Sequence, residues 1–494
     1  MAANAAMNAG GPPADLLDTP AAGPAAIRGG AVRGVGYGLV LLLSAASVPL
    51  LIRHLGVVDF GRYVIVTALL TLIAGLTEGG LQAVGTREYA QRTGVDRDRL
   101  MANLIGLRVA LTVAGVAGAV GFALAAGYDR VLLLGTAVAG VALLLQSIQT
   151  LLAIPLMAQL RLGWVTAADL LRQSTFVAAT VGLVAAGAAL LPFFLIAIPA
   201  SLAALVFTGI LVRQLTPFRP RFEPGEWWNL LRDTIPYAAA IAVNVAYFRL
   251  ALIIMSLLAT ALETGYFAAS FRVVEVLLPI PAVVIGAVFP ILARAARDDL
   301  ERLGYASQRV FDVAVIVGVG LVLGIELGAP LILAILAGDG GKPSVSVLRI
   351  QAPALLATFL AVAAGFSLLS IRRHRALLVA NAVALTFSVG LTFALVPGLG
   401  AQGAAVATTA AEWALALVTL GLLVRSHEAL RLSYRVIPPV ATAAVAGVLP
   451  SLAPVPVAAQ LAIGGSLYLL LLVVFKAVPP EIRGALPLAR RTAP

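Results

Sequence analysis

The sequence lacks cysteine and has little histidine. Its 494 residues include no Cys and three His, at positions 54, 374 and 427, each in a predicted loop. The absence of cysteine excludes disulfides, thiolate catalysis and cysteine-ligated metals. Three histidines so widely spaced predict no metal cluster. We therefore expect neither a metal nor a cofactor.

Charge is also scarce. Charged residues make up 12% of the chain and hydrophobic residues 61%, with a mean hydropathy of +1.01. A soluble fold cannot bury so much apolar surface, whereas a bilayer accepts it as the exterior of the protein. The net charge of +11 does not indicate a nucleic-acid partner, because the basic residues interrupt apolar segments instead of forming one patch. The composition predicts a membrane protein.

Long apolar runs are abundant and are typical of transmembrane helices. The alternating pattern of membrane strands is missing, which favours an all-α fold. No basic region precedes the first run, so we interpret it as an uncleaved helix and not as a signal peptide. The sequence predicts fourteen spans, near residues 32–52, 62–85, 104–127, 131–154, 170–190, 192–212, 235–257, 266–291, 311–334, 347–370, 376–396, 403–424, 436–453 and 457–475.

The basic residues orient these spans. The chain has 34 Lys and Arg residues. Of these, 26 lie in the two termini or in connections on the same side of the membrane as the termini, and three lie inside predicted spans. The opposite side has five, which are Arg53, Arg62, Arg130, Lys342 and Arg349. Because Lys and Arg concentrate on the cytoplasmic side, both termini are predicted to be cytoplasmic in a multi-pass plasma (inner) membrane protein.

The longest basic connection divides the spans into two sets of six. The first thirty residues are rich in Ala, Gly and Pro, which is typical of disorder. The predicted organisation is a disordered cytoplasmic tail (1–30), an N-lobe of spans 1–6 (31–213), a cytoplasmic linker (214–234), a C-lobe of spans 7–12 (235–425), a two-helix hairpin (426–476) and a cytoplasmic tail (477–494).

A weak internal repeat supports two lobes. "VDFGRYVIV" (58–66) opens the second span and "LETGYFAAS" (262–270) opens the eighth. Both have an acid two residues before a glycine, followed by aromatic and apolar residues. Because each lobe has an even number of spans, the two would share one orientation and be pseudo-symmetric about an axis along the membrane normal.

Three charged residues lie inside the seventh and eighth spans. Arg249 and Arg272 are each about 10–12 Å from the outer boundary by helical rise, on spans joined by a short connection. Arg272, Glu275 and Pro279 share one helical face. Because guanidinium groups bind two phosphate oxygens at once, these residues are candidates for an anion site in a cavity. The alternatives are an ion pair that holds the helices together and arginines that snorkel outward.

Other polar residues lie within spans. In the second span Thr71, Glu78 and Gln82 belong to a narrow polar stripe, which lipid cannot satisfy. Glu78 is a candidate proton or cation site, and the alternative is ordinary solvation near a helix end. We interpret Arg108 as a snorkelling residue. For Glu326 and Glu412 a functional role and a buried hydrogen-bonding role both stay open.

Three stretches together resemble a known family. They are Arg53–Arg92 with its Leu-Gly loop and Gly-x-Tyr helix start, Tyr247–Arg294 with its Gly-Tyr opening and Phe-Pro close, and Leu395–Leu417 with a Gly-x-x-Gly-Ala-Ala start. They are similar to the polysaccharide or oligosaccharide-lipid flippases of the multidrug/oligosaccharidyl-lipid/polysaccharide (MOP) exporter superfamily.

The resemblance implies a MATE-like, V-shaped pair of six-helix lobes that works by alternating access and is not an enzyme. It implies transport of an undecaprenyl-pyrophosphate-linked oligosaccharide to the outer leaflet for cell-surface polysaccharide synthesis. Arg249 and Arg272 would approach the pyrophosphate and Glu275 would neutralise one of them. The implied partners are the bilayer, a polysaccharide polymerase and glycosyltransferases, with the transporter itself a monomer.

Two departures from the family pattern restrict what the resemblance implies. Members often have an acid soon after the arginine of the seventh span, where this chain has Leu250 and Ala251. The first span also has no charge between Arg33 and Arg53, unlike the peptidoglycan-precursor branch. These departures leave the coupling ion open and do not favour a peptidoglycan role.

Two other functions remain as alternatives. A cation-coupled multidrug antiporter of the same superfamily would need an acidic, aromatic cavity, and the two arginines disfavour it. A membrane polysaccharide polymerase or glycosyltransferase would need a large outer loop or an outer acidic site. The predicted outer connections are short, and Asp59 is the only acid in the first of them.

Overall fold

The computed structural model describes residues 22–215 and 220–479, and every regular element in these ranges is helical. The all-α prediction is confirmed. Before residue 216 the helices are α1 (Ala22–Glu78), α2 (Leu81–Gln91), α3 (Gly94–Ala125), α4 (Arg130–Leu152), α5 (Ile154–Ala158), α6 (Leu162–Ala185), α7 (Leu190–Leu195) and α8 (Ala197–Val212).

The later helices include the candidate site. They are α9 (Pro224–Leu258), α10 (Ala261–Leu277), α11 (Pro279–Gly286), α12 (Phe289–Asp298), α13 (Leu300–Ala337), α14 (Ser344–Ser370), α15 (His374–Val424), α16 (Ile437–Val448) and α17 (Val457–Val474). A 3-10 turn at Leu449–Leu452 extends α16.

The predicted tails lie mostly outside the described residues. Within the amino-terminal segment 1–30, residues 22–30 already belong to α1, because its alanines favour helix. The carboxy-terminal segment 477–494 is described only as far as residue 479.

Ten helical segments of the described chain are long and apolar enough to cross a membrane. The chain is therefore a multi-pass membrane protein. Helix α15 contains two of the predicted spans, and α1 contains the first span and most of the second, 62–85, which a turn at Gly79 and Gly80 interrupts before α2. A non-helical glycine separates those spans in both helices, Gly56 with φ of 74° and Gly400 with φ of 55°. Positive φ is readily adopted only by glycine. The total of fourteen spans stays a prediction.

The fifth predicted span has the wrong bounds. It was expected at 170–190, but α6 runs from Leu162 to Ala185. The charged residues Asp169 and Arg172 both lie inside this helix. The structure explains Asp169, which is 3.7 Å from Arg33 of α1 and so has a cationic neighbour within the fold.

The eighth predicted span, 266–291, is also interrupted. Its residues belong to α10, α11 and the start of α12. Pro279 begins α11, and Pro290 lies in the first turn of α12. Proline lacks the N–H that would continue the preceding hydrogen-bond ladder, so each proline follows a break in the helix.

The chain packs into two compact units. The first comprises residues up to Ser47 together with Leu70–Ala242. The second comprises Val48–Leu69 together with residues from Val243 onward. The lobe limits expected from the sequence stay predictions. The start of the second predicted span, residues 62–69, packs with the second unit.

The predicted linker, 214–234, is held against the first unit where it is described. The backbone N–H of Arg221 donates to the carbonyl of Ala102 at 3.0 Å. The N–H of Glu223 donates to the side-chain oxygen of Asn103 at 3.2 Å. The linker is thus a packed segment near α3 and not a loose connection.

The two halves of the internal repeat meet within the second unit. A Cβ built on Gly61 would lie 2.7 Å from the Cα of Gly265, and a Cβ on Gly265 would collide with the backbone oxygen of Val57. Only glycine permits such a close backbone approach. The glycines that defined the repeat therefore form one helix contact.

Candidate functional site

The site begins at the short connection between α9 and α10. Thr260 caps α10 by accepting a hydrogen bond from the backbone N–H of Glu263 at 3.2 Å. Thr264 of α10 donates to the carbonyl of Met255 in α9 at 3.5 Å. These contacts hold the end of one apolar helix beside the start of the next.

Arg249, Arg272 and Glu275 form one cluster across these helices. Nη2 of Arg249 donates to Oε1 of Glu275 at 2.7 Å. Nη1 of Arg272 donates to Oε2 of the same carboxylate, also at 2.7 Å. Each oxygen thus accepts a hydrogen bond from a different guanidinium, with the short distance typical of a charge-assisted bond. The three residues together have a net positive charge, and we call them the arginine cluster.

The arginine cluster lies deep in its helices. Arg249 is nine residues before the end of α9 and Arg272 eleven after the start of α10. At 1.5 Å per residue these positions are about 14 Å and 17 Å from the connection. The sequence predicts a smaller depth for Arg272, about 10–12 Å, because it places the start of the eighth span at residue 266, whereas α10 begins at Ala261.

The cluster is not sealed from its surroundings. The side chains of Arg249, Arg272 and Glu275 are 21%, 30% and 23% exposed. Another molecule can therefore contact their remaining polar atoms. Tyr63 of α1 lies near Arg272. Sequence reasoning did not select Tyr63, although it belongs to the Gly-x-Tyr motif that carried the family resemblance.

The polar stripe of the second span has mainly local contacts. Glu78 ends α1, and its carboxylate accepts the backbone N–H groups of Gly80 at 3.0 Å and Gln82 at 3.2 Å. The side chain of Gln82 donates to the carbonyl of Thr150 at 3.1 Å. Thr71 is exposed. Glu78 therefore caps the start of α2, and its role in coupling stays a prediction.

A second buried acid has a more elaborate environment. Glu412 is 6% exposed and accepts hydrogen bonds from the hydroxyl groups of Tyr247 at 2.8 Å and Thr358 at 2.9 Å. It lines a cavity of about 30 Å³ together with Gln351 and Ser388. The alternative of a hydrogen-bonding group buried in the protein agrees with these contacts, whereas its two partners could not be identified from the sequence.

The described residues offer no group of three or more His, Asp and Glu side chains that could hold a metal ion. The arginine cluster supplies donors and positive charge, which suit an anionic ligand and not a cation. An all-helical chain with many apolar spans and such a cluster inside them belongs to the class of polytopic membrane proteins.

Several solved structures share this fold. The chain resembles the lipid II flippase MurJ in an inward closed conformation, with 14% identity and a TM-score of 0.72 over 90% of this chain and 98% of that one. It resembles an inward-facing MATE multidrug resistance transporter of the MOP superfamily, with 12% identity and a TM-score of 0.60 over 77% and 92%.

A third similar structure is a MOP superfamily transporter from Pyrococcus furiosus, with 14% identity and a TM-score of 0.50 over 80% and 92% of the two chains. No curated protein sequence matches the chain. The family model described as "Polysaccharide biosynthesis protein" matches residues 26–296, which is more than half of the sequence. The chain belongs to this family, within the MOP superfamily.

Proposed function

We propose that this protein is a flippase that moves a polyprenyl-pyrophosphate-linked oligosaccharide from the cytoplasmic to the outer leaflet of the plasma (inner) membrane. It crosses the membrane fourteen times with both termini in the cytoplasm, and it works by alternating access of two lobes. It acts as a transporter and not as an enzyme, and it supplies substrate to a polysaccharide polymerase downstream of glycosyltransferases.

The observation that carries this proposal is the arginine cluster. Its depth of about 14–17 Å from the α9–α10 connection is close to half of a hydrocarbon core of about 30 Å. Charges at that depth are costly and are usually functional. Two guanidiniums around one carboxylate suit a pyrophosphate, whose oxygens accept paired N–H donors.

Glu275 gives the site a means of release. Its two oxygens occupy one donor from each arginine at 2.7 Å. A pyrophosphate must compete with this carboxylate for the same donors. It therefore binds more weakly than it would bind two guanidiniums that had no carboxylate between them. A transport site needs affinity high enough for capture and low enough for departure. The carboxylate therefore tunes the arginines for transport.

The relatives support the lipid-linked substrate. A flippase of lipid II and a polysaccharide biosynthesis family are both among the comparisons. The positive arginine cluster disfavours the alternative substrate class, cationic drugs, since like charges repel at a site of reduced dielectric. The residues Thr71, Glu78 and Gln82 remain candidates for ion coupling outside the arginine cluster.

Export in a strain deleted for the gene tests the proposal. The Arg249→Ala/Arg272→Ala variant is expected to insert in the membrane but to lose export of the surface polysaccharide. Arg249→Lys keeps the charge but not the paired donors, so we expect partial activity. Arg375→Ala, which removes an exposed charge at the start of α15, is the matched control. Wild-type export by the double variant would refute the phosphate role of the cluster.

A further inference from the structure

The second unit contains an apolar groove. The residues that line it come later in the sequence than the arginine cluster. The volume of the groove is about 580 Å³. Phe311 of α13 and Leu360 of α14 line it, and both are buried. Leu420 of α15 and Ile437 of α16 also line it. We call this feature the α15–α16 groove.

One end of the α15–α16 groove is polar. Arg425, directly after the last residue of α15, and Tyr434, before α16, both line it. Arg425 is exposed, and it forms no ion pair among the described residues. Nearby Arg431 differs, because it pairs with Glu428 at 3.2 Å. The groove therefore has one available cation at its mouth and hydrocarbon side chains along its length.

The length of the groove matches one leaflet. Trp413 and Arg425 both line it and are twelve residues apart on α15 and its C-cap. At 1.5 Å per residue they are separated by about 18 Å along the helix. Half of a typical hydrocarbon core is about 15 Å. A groove that starts at Arg425 thus extends from the headgroup level through the hydrocarbon of the leaflet on that side.

We propose that the α15–α16 groove binds one anionic phospholipid of the surrounding membrane. An acyl chain lies along the apolar walls, and the lipid phosphate accepts hydrogen bonds from Arg425 and from the hydroxyl of Tyr434. Hydrocarbon fills an apolar groove more favourably than water does. A basic residue between transmembrane helices at the cytoplasmic side is a recurrent headgroup site, and the charge rule places Arg425 on that side.

Native mass spectrometry of the delipidated full chain tests this site. The protein is offered equimolar phosphatidylglycerol and phosphatidylcholine with identical acyl chains. We expect the first bound lipid to be phosphatidylglycerol with a preference of about fivefold, since one arginine near a headgroup has an effect of that order. Arg425→Gln should remove most of this preference, and Arg425→Lys should retain part of it.

A second variant tests the apolar part independently. Gly421 lines the groove, and a Cβ there would meet only open space. Gly421→Phe should therefore fill the groove without a clash and lower the retention of both lipids. The matched controls are Gly390→Phe, at an equally open glycine of α15, and Arg375→Gln, at an exposed basic residue of the same helix. Both should resemble the wild type.

Several results would overturn the proposal. One is the absence of a phosphatidylglycerol preference in the wild type. Another is an equal loss of preference in Arg425→Gln and Arg375→Gln, which would indicate general attraction to a basic protein. Displacement of the retained lipid by polyprenyl phosphate, with no preference between the phospholipids, would instead assign the groove to the tail of the transported lipid.

Discussion

Replacing Glu275 with glutamine tests the arginine cluster most directly. The substitution preserves the shape of the side chain but removes the only carboxylate of the cluster. Arg249 and Arg272 then lose a charged acceptor that each contacts at 2.7 Å. Removing one partner of a fully buried ion pair costs about 3–5 kcal/mol. Because these side chains are a fifth to a third exposed, solvent screening reduces the expected loss to about 2 kcal/mol.

The measurement is thermal unfolding of the purified protein in detergent. For a unit of this size about 2 kcal/mol lowers Tm by about 4 °C. Glu326→Gln is the matched control, because Glu326 also lies inside a span but pairs more loosely with Arg349, at 3.7 Å. Its side chain and that of Arg349 are 36% and 45% exposed, so we expect a loss of about 0.5 kcal/mol or less.

Inorganic pyrophosphate supplies the second readout. Without Glu275 the two guanidiniums no longer share a carboxylate, so the ligand meets less competition. Ligand that binds only the folded protein raises Tm according to its affinity. Pyrophosphate should therefore stabilise Glu275→Gln more than the wild type. A variant as stable as the wild type, with an unchanged response to pyrophosphate, would refute the role assigned to the shared carboxylate.

Two further substitutions test the packing of the second unit. Gly265→Leu places a side chain against the backbone of Val57 and should lower the stability by about 3 kcal/mol or more through overpacking, measured as a fall in Tm. The control Gly390→Leu adds a side chain in open space and should be tolerated. Equal Tm values for the two variants would contradict the helix contact. Glu412→Leu leaves the hydroxyl donor of Tyr247 without its acceptor, whereas Thr358 keeps the carbonyl of Ala354 as an acceptor at 2.9 Å. This variant should cost about 1–3 kcal/mol, and Tyr247→Phe, which removes that donor, should cost less. The reverse order would show that the buried carboxylate is not stabilised by these bonds.

The arginine cluster could be predicted from the sequence because its geometry is local. The spacing of Arg272 and Glu275 places both on one helical face. The short connection before α10 puts Arg249 of α9 beside them. Helical periodicity and a short turn were sufficient for this. Whether the cluster binds pyrophosphate depends on the ligand, so that role is tested by experiment and not by the fold.

The differences from the predicted spans have non-local causes. Asp169 precedes the predicted fifth span but lies inside α6, and its neighbour Arg33 is far away in the sequence and close only in the fold. The turn at Gly79 and Gly80, with φ of 46° and 82°, interrupts the second predicted span, but glycine is frequent throughout the chain and its φ value is not visible in composition. The bounds of an individual span therefore depend on tertiary contacts that a hydropathy pattern does not contain.

The count of charges favours the proposed anion site over an ion pair that only joins the helices. An ion pair that only joins α9 to α10 requires one guanidinium and one carboxylate, and Arg249 with Glu275 already provides both. Arg272 adds a second positive charge at similar depth, and membrane burial penalises each such charge. A structural pair gives no reason for that cost. An anionic substrate gives one, because two guanidiniums can bind a pyrophosphate while their shared carboxylate prevents permanent capture.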